Sequence, residues 1–255
     1  MSYYEPRQAN QVHNEDICQI FRNTPMEGAI AIRFEREPDY FVGARIQNLE
    51  QHIILGYDTQ KEKAFAIANL GNRPVFIGDK VEIVRYFCDL RVLPEYRNRT
   101  LLVKGFRYLG KEVLTGDLYA QALIVSDNRK ALDTLTSGRA GLPHFYYTDD
   151  YHTWAISTSQ KFKSVSDRFA IRRASADDVP MMQKFLEDEG PGKLFFPAYN
   201  LHQVGSHPYY ANQRIEDYYL AFHQGQLVGM AGAWDLEFCK QSRVVSYSRS
   251  IRWSR

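Results

Sequence analysis

The chain has 255 residues, 44% hydrophobic and 14% aromatic, enough to build real cores in one large domain or two of ordinary size. Thirty-two Lys and Arg against thirty Asp and Glu leave a formal charge of +2, which lacks the basic excess that dominates nucleic-acid binding. The apolar runs are short, Met1 to Arg7 has neither a charged leader nor an apolar stretch, and Cys18, Cys88 and Cys239 lie too far apart for a disulfide framework or a CxxC zinc site; a cytoplasmic, metal-free protein without membrane or nucleic-acid partners is expected.

From Asn14 to Phe21 a capping residue, acidic first-turn positions and Ile17, Ile20 and Phe21 at i, i+3 and i+4 predict a short amphipathic helix. Ala29 to Glu35 alternates as a strand, and the stretch that follows it, to Phe41, is acidic and aromatic, suited either to attracting a cationic amine or to forming a loop anchored by Tyr40 and Phe41. His52 to Gly56 and Ala64 to Asn69 read as strands joined by the polar hairpin connection from Asp58 to Lys63. Asp79 to Val92 is a long strand, Leu93 to Arg99 a loop, and Leu101 to Leu109 has helical spacing. Asp117 to Val125 returns as a strand, Asn128 to Leu135 as a helix, and Phe145 to Ile156 as one or two aromatic strands.

A polar, Ser-rich segment then marks a linker, with a first domain at 1–157, the linker at 158–168 and a second domain at 169–255. The second part restarts with a strand from Phe169 to Arg173, a capped helix to Glu189 and a hairpin of Tyr218 to Phe222 with Leu227 to Gly232, then the strand-like run Arg243 to Ser248. The alternation of strands and helices is that of an α/β chain.

The richest segment runs from Cys88 to Leu102, where a long strand breaks at a Pro-containing loop and opens a helix. Such a junction offers free backbone N–H groups and a positive helix end to a phosphate, and Arg97 and Arg99 add charge there; the plainer account is a crossover with solvated arginines. The segment resembles the acyl-CoA-binding signature of the GNAT superfamily of N-acetyltransferases, Leu-x-Val-x-Pro-x-Tyr-Arg leading into Arg-x-x-Gly-x-Gly/Ala, with matches at Leu90, Val92, Pro94, Tyr96 and Arg97. Thr100 and Leu102 stand at the two glycine positions. Asn128 followed by Ala131 matches the next helix of that family, and the family's Tyr general acid falls on Leu135, with Tyr146, Tyr147 and Tyr151 as replacements.

The resemblance implies a central mixed, mostly antiparallel sheet flanked by helices, followed by a second, partial GNAT-like unit. It implies transfer of an acetyl group from acetyl-CoA, as cosubstrate, to a small-molecule or peptide amine. Leu90, Arg91 and Val92 would face the thioester, Arg97, Asn98, Arg99, Thr100, Leu101 and Leu102 the pyrophosphate, and Asn128 would belong to the cofactor site. Glu82 or Asp89 would serve as general base; on strand parity Glu82 shares a face with Leu90, and a bulge near Asp89 reverses that. The alternative, from a different class, is a non-catalytic module of the same fold that binds acyl-CoA or a protein. An incomplete second unit is expected to serve as scaffold or cleft wall, and either to dimerise or to belong to a longer gene product.

Overall fold

The computed structural model describes residues 3–28, 30–97, 100–113, 119–138, 144–154, 156–157, 159 and 168–248. In chain order the elements are β1 (Tyr4–Gln8), α1 (Asn14–Arg22), β2 (Ile30–Glu35), α2 (Tyr40–Arg45), β3 (Glu50–Asp58), β4 (Lys63–Ile77), β5 (Lys80–Val92), α3 (Leu101–Glu112), β6 (Ala120–Ala122), α4 (Arg129–Thr136), β7 (Ala170–Arg173), α5 (Val179–Glu189), β8 (Tyr218–His223), β9 (Gln226–Gly232) and β10 (Gln241–Tyr247). A five-stranded sheet in the order β1-β3-β4-β5-β6 organises the first of two units. Strand β3 pairs antiparallel with β1 and β4, while β6 runs parallel to β5.

Period-two alternation sorts the apolar side chains onto the two faces of this sheet. Ile53 and Leu55 of β3 and Phe65 and Ile67 of β4 pack with Ile17, Ile20 and Phe21 of α1 and Tyr40, Phe41 and Ala44 of α2. Ile54 and Leu70 face the other way, with Phe87 of β5, Phe106 and Leu109 of α3 and Leu135 of α4. Each large side chain so buried contributes about 1.5–3 kcal/mol, so both helical layers are held mainly by this sorting.

The chain divides into two units, one drawn from Met1–Arg73, Ile83–Tyr147 and Leu236–Arg255 and the other from Pro74–Glu82 and Thr148–Asp235. In the second unit β7, β8 and β9 form an antiparallel sheet. Its core gathers Ala174, Met182, Leu186, Leu201, Tyr218 and Leu220. The hairpin residues Pro74 and Phe76 exchange backbone hydrogen bonds of 2.9 Å with Phe195, Phe196 and Ala198 in this unit.

Three expectations are corrected. The run from Arg243, predicted to close the second domain at 169–255, lies in β10, which pairs antiparallel with β2 in the first unit. Specific polar contacts select that partner: Arg243 Nε donates to Glu35 Oε2 at 2.7 Å, and Gln241 exchanges hydrogen bonds with the Glu37 backbone at 2.9 and 3.1 Å. No described residue from 145 to 156 is in a strand. Phe145 packs against the Phe87 cluster, but Tyr146, Tyr151 and Trp154 are exposed, and aromatic β-propensity acts only where a pleated surface exists to pack on. The stretch to Phe41, for which a loop anchored by Tyr40 and Phe41 was one of two readings, instead enters α2 at Tyr40, and the N-cap Asp39 accepts from the Phe41 N–H at 2.8 Å.

Candidate functional site

The site is organised by a break in β5. Asp89 adopts φ +56°, a left-handed conformation that a short acidic side chain tolerates and that interrupts the strand's alternation as a bulge does. In consequence Phe87 and Leu90, three residues apart, both pack on the α3 and α4 side. Arg91 turns to the opposite side, its guanidinium 5.6 Å from the Phe21 ring centre.

Beyond this break the strand loses one neighbour. The ladder with β6 runs from Arg85–Ala120 to Phe87–Ala122 and stops, while on the other edge the Leu93 N–H still reaches the Phe65 carbonyl at 2.9 Å. The loop that follows is anchored by Tyr96, stacked on Phe65 at 4.3 Å with its hydroxyl donating to Asp58 at 3.0 Å. Arg97 Nε donates back to the Val92 carbonyl at 3.1 Å.

Helix α3 then starts after Thr100, and the first amide to bond back is Lys104 N–H to the Thr100 carbonyl at 3.2 Å. The amides of Leu101 to Val103 lack intrahelical acceptors by construction of the helix. Under α3 lies a narrow cavity of about 70 Å³ lined in part by Leu90, Val92, Leu101, Leu102, Gly105 and Phe106.

On the α1 and α2 side, the Asp89 carboxylate is buried between two donors. Tyr40 Oη donates to Oδ2 at 3.1 Å and an Arg36 terminal nitrogen donates to Oδ1 at 3.2 Å, with both charged side chains more than nine-tenths buried. Burial first, and then the Asp89 charge, push the Tyr40 hydroxyl well above its ordinary range. Burial likewise raises the Cys88 thiol, so it stays protonated and is a poor nucleophile.

The structure therefore brings Asp89, Leu90, Val92, Arg97, Thr100, Leu101 and Leu102 to one strand-loop-helix junction, and turns Arg91 to its far side. Asn98 and Arg99 lie outside the described residues. Glu82 is exposed and belongs to the second unit. Asn128 caps α4, accepting from the Ala131 N–H at 3.2 Å. Leu135 is a core residue, and Tyr146, Tyr147 and Tyr151 are 80%, 68% and 75% exposed.

The acidic stretch after β2 is not an open negative surface. Glu35 is paired with Arg33 and Arg243, Glu37 with Arg22, and Asp39 accepts from Phe41 N–H and Gln11. Sequence reasoning missed Arg36 and Arg73. Arg73 lies 3.5 Å over the Tyr86 ring, its Nε donating to the Gln47 carbonyl and Asn48 Oδ1. A lone Arg closing the run Asn69-Leu70-Gly71-Asn72-Arg73 on a half-buried strand was the available signal.

No family model matches the chain, and no curated protein matches it. Among solved structures, the chain is similar to an acetyltransferase from Trypanosoma brucei, with 12% identity, 60% of this chain and 99% of that chain covered, and a TM-score of 0.41. It is similar to an aminoglycoside antibiotic 6'-N-acetyltransferase from Acinetobacter baumannii, with 16% identity, coverage of 60% and 99%, and a TM-score of 0.42. It is also similar to glucosamine-6-phosphate N-acetyltransferase from Arabidopsis thaliana, with 10% identity, coverage of 59% and 99%, and a TM-score of 0.41.

Proposed function

We propose that this chain transfers an acetyl group from acetyl-CoA to an amine by direct attack. The observation that carries the reading is the opened edge of β5 from Asp89 to Val92, where the ladder with β6 has ended and where Leu90 and Val92 line one cavity with Leu101 and Leu102 of α3. A strand edge of this kind has main-chain N–H groups to polarise a thioester carbonyl. The unpaired amides at the start of α3, with the Thr100 hydroxyl and Arg97, suit a pyrophosphate.

The residues present fit such a donor in part through what they leave open. A Cβ at Gly105 would have no heavy atom within 4 Å, and Leu102, at one of the glycine positions of the resembled signature, belongs to the apolar cluster under α3. The amine approaches from the α1 and α2 side, where Asp89 is held. As the N–C bond forms and the C–S bond breaks, Asp89 takes the amine proton directly or through water, using lone pairs that Tyr40 and Arg36 leave unused.

Release of free CoA thiol tests the reading. With acetyl-CoA and a panel of primary amines, the chain should release thiol at a rate that rises with amine concentration. No release above the rate of spontaneous hydrolysis across the panel would overturn it.

A further inference from the structure

Four cations converge on the α1 and α2 side of the β5 break with one carboxylate among them. Arg36 and Arg91 both lie at the Phe21 ring, their guanidinium carbons 5.5 and 5.6 Å from its centre. Arg73 lies 3.5 Å over the Tyr86 ring, and its charge acts on Lys240 together with that of Arg36. Gly43 brings in the fourth: a Cβ there would lie 2.9 Å from the Cys239 carbonyl oxygen and 3.1 Å from Arg36 Cδ, so only a bare glycine lets that backbone and the Arg36 stem close on each other. Lys240 follows at once.

Asp89 is paired with Arg36, whereas Glu35 and Glu37 have their own cations, Arg33 with Arg243 and Arg22 respectively. Among the described residues no carboxylate pairs with Arg73, Arg91 or Lys240. Two buried donors there, Nε of Arg36 and Nε of Arg91, have no hydrogen-bond partner, and a buried donor on a charged group is costly unless something accepts from it.

We propose that Arg36, Arg73, Arg91 and Lys240 form an anion site that holds a carboxylate or phosphate group of the acceptor. The naming of the anion's bearer rests on the acyl-transfer reading, while the site itself stands on the cluster. Lys240 is an exposed residue, yet desolvation of its ammonium, and then Arg36, lower its proton affinity. Burial does the same to Arg91. An anion at this point would relieve both effects.

Calorimetry of the full chain with inorganic phosphate tests the site, on the unchanged chain and on Lys240→Gln and Arg91→Gln. Phosphate should bind, and each substitution should weaken it about tenfold, the loss of one charge-assisted hydrogen bond. In phosphate-free buffer Arg91→Gln should melt no lower than the parent, because it removes an unpaired buried charge; should it fail to fold, the exposed Lys240→Gln decides. Saturating CoA should leave phosphate affinity unchanged. No phosphate binding at millimolar concentration, or undiminished binding in Lys240→Gln, would overturn the site. Displacement of phosphate by CoA would assign the cluster to the donor's own phosphates and overturn it too. Phosphate binding that depends on Lys240 in a chain that binds no CoA would instead remove the acyl-transfer reading and leave the anion site standing.

Discussion

Asp89 combines a backbone role and a charge role. Its left-handed φ breaks β5, and its carboxylate holds Arg36 and Tyr40 in the interior. Removing one partner of a buried pair leaves the other charge uncompensated, so Asp89→Ala should cost about 3–5 kcal/mol in urea unfolding. Asp89→Asn retains an acceptor for Tyr40 and should fold; as a lost general base it should lower turnover by about 10²-fold or more with acetyl-CoA affinity unchanged. Equal loss of affinity and turnover would mark Asp89 as part of donor binding instead. The sequence named Asp89 and Glu82 alike as candidate bases, because both lie on the long strand that leads into the segment from Cys88 to Leu102. The partners of Asp89 were not legible, because Arg36 between Glu35 and Glu37 reads as a solvated charge run, and nothing in a linear pattern says that Glu35 will be neutralised from Arg243, two hundred residues away.

Elements with strong periodicity and caps were readable, since one short-range pattern fixes each of them. Helix α5 is an example: Ser175 and Asp178 form a capping box on the 3-10 turn that leads into it, and Arg172 donates to both Asp178 oxygens at 2.6 and 2.7 Å. The Arg172 hydrogen bonds hold the Asp178 carboxyl well below the usual carboxylate range despite its burial. A depressed folded-state pKa gives stability that is present above the unfolded value of about 4 and is lost as pH falls through the folded value. The melting point should therefore drop below pH about 4, and Asp178→Asn, costing about 0.5–2 kcal/mol near neutrality as a lost cap, should flatten that drop. Partner choice was what the pattern withheld: β10 alternates as a strand should, but alternation does not name the neighbour, and β2 was selected by Gln241 and Arg243. In α3, Gly105→Ala should raise stability by about 0.5–1 kcal/mol, since a mid-helix glycine costs backbone entropy and the added methyl has room.

Across the whole molecule the aromatic content that the composition announced becomes a set of buried phenols. Burial pushes Tyr86 and Tyr218 up to about 12 and Tyr40 well above its ordinary value. For a group whose folded pKa is raised, the stabilisation is complete below the unfolded value of about 10 and is lost as pH rises through the folded value. Tyrosinate absorbance should therefore rise in two stages, exposed tyrosines first, the buried ones only together with loss of far-ultraviolet dichroism. A single smooth titration with the fold intact would contradict this. The Ser-rich segment suggested one cut of the chain at 158–168, and the exchange of segments was not legible, because Pro74–Glu82 and Leu236–Arg255 join their units through contacts distant in sequence.

Acyl transfer stands or falls with donor binding at the junction of β5 and α3. Calorimetric titration of acetyl-CoA into the full chain and into Gly105→Leu measures it, because Gly105 lines the cavity under α3 and a Cβ added there meets no neighbour. Saturable heat in the parent, absent in a Gly105→Leu chain that melts at least as high, is the expected result. No heat in the parent at millimolar acetyl-CoA, or equal heat in both, would contradict it.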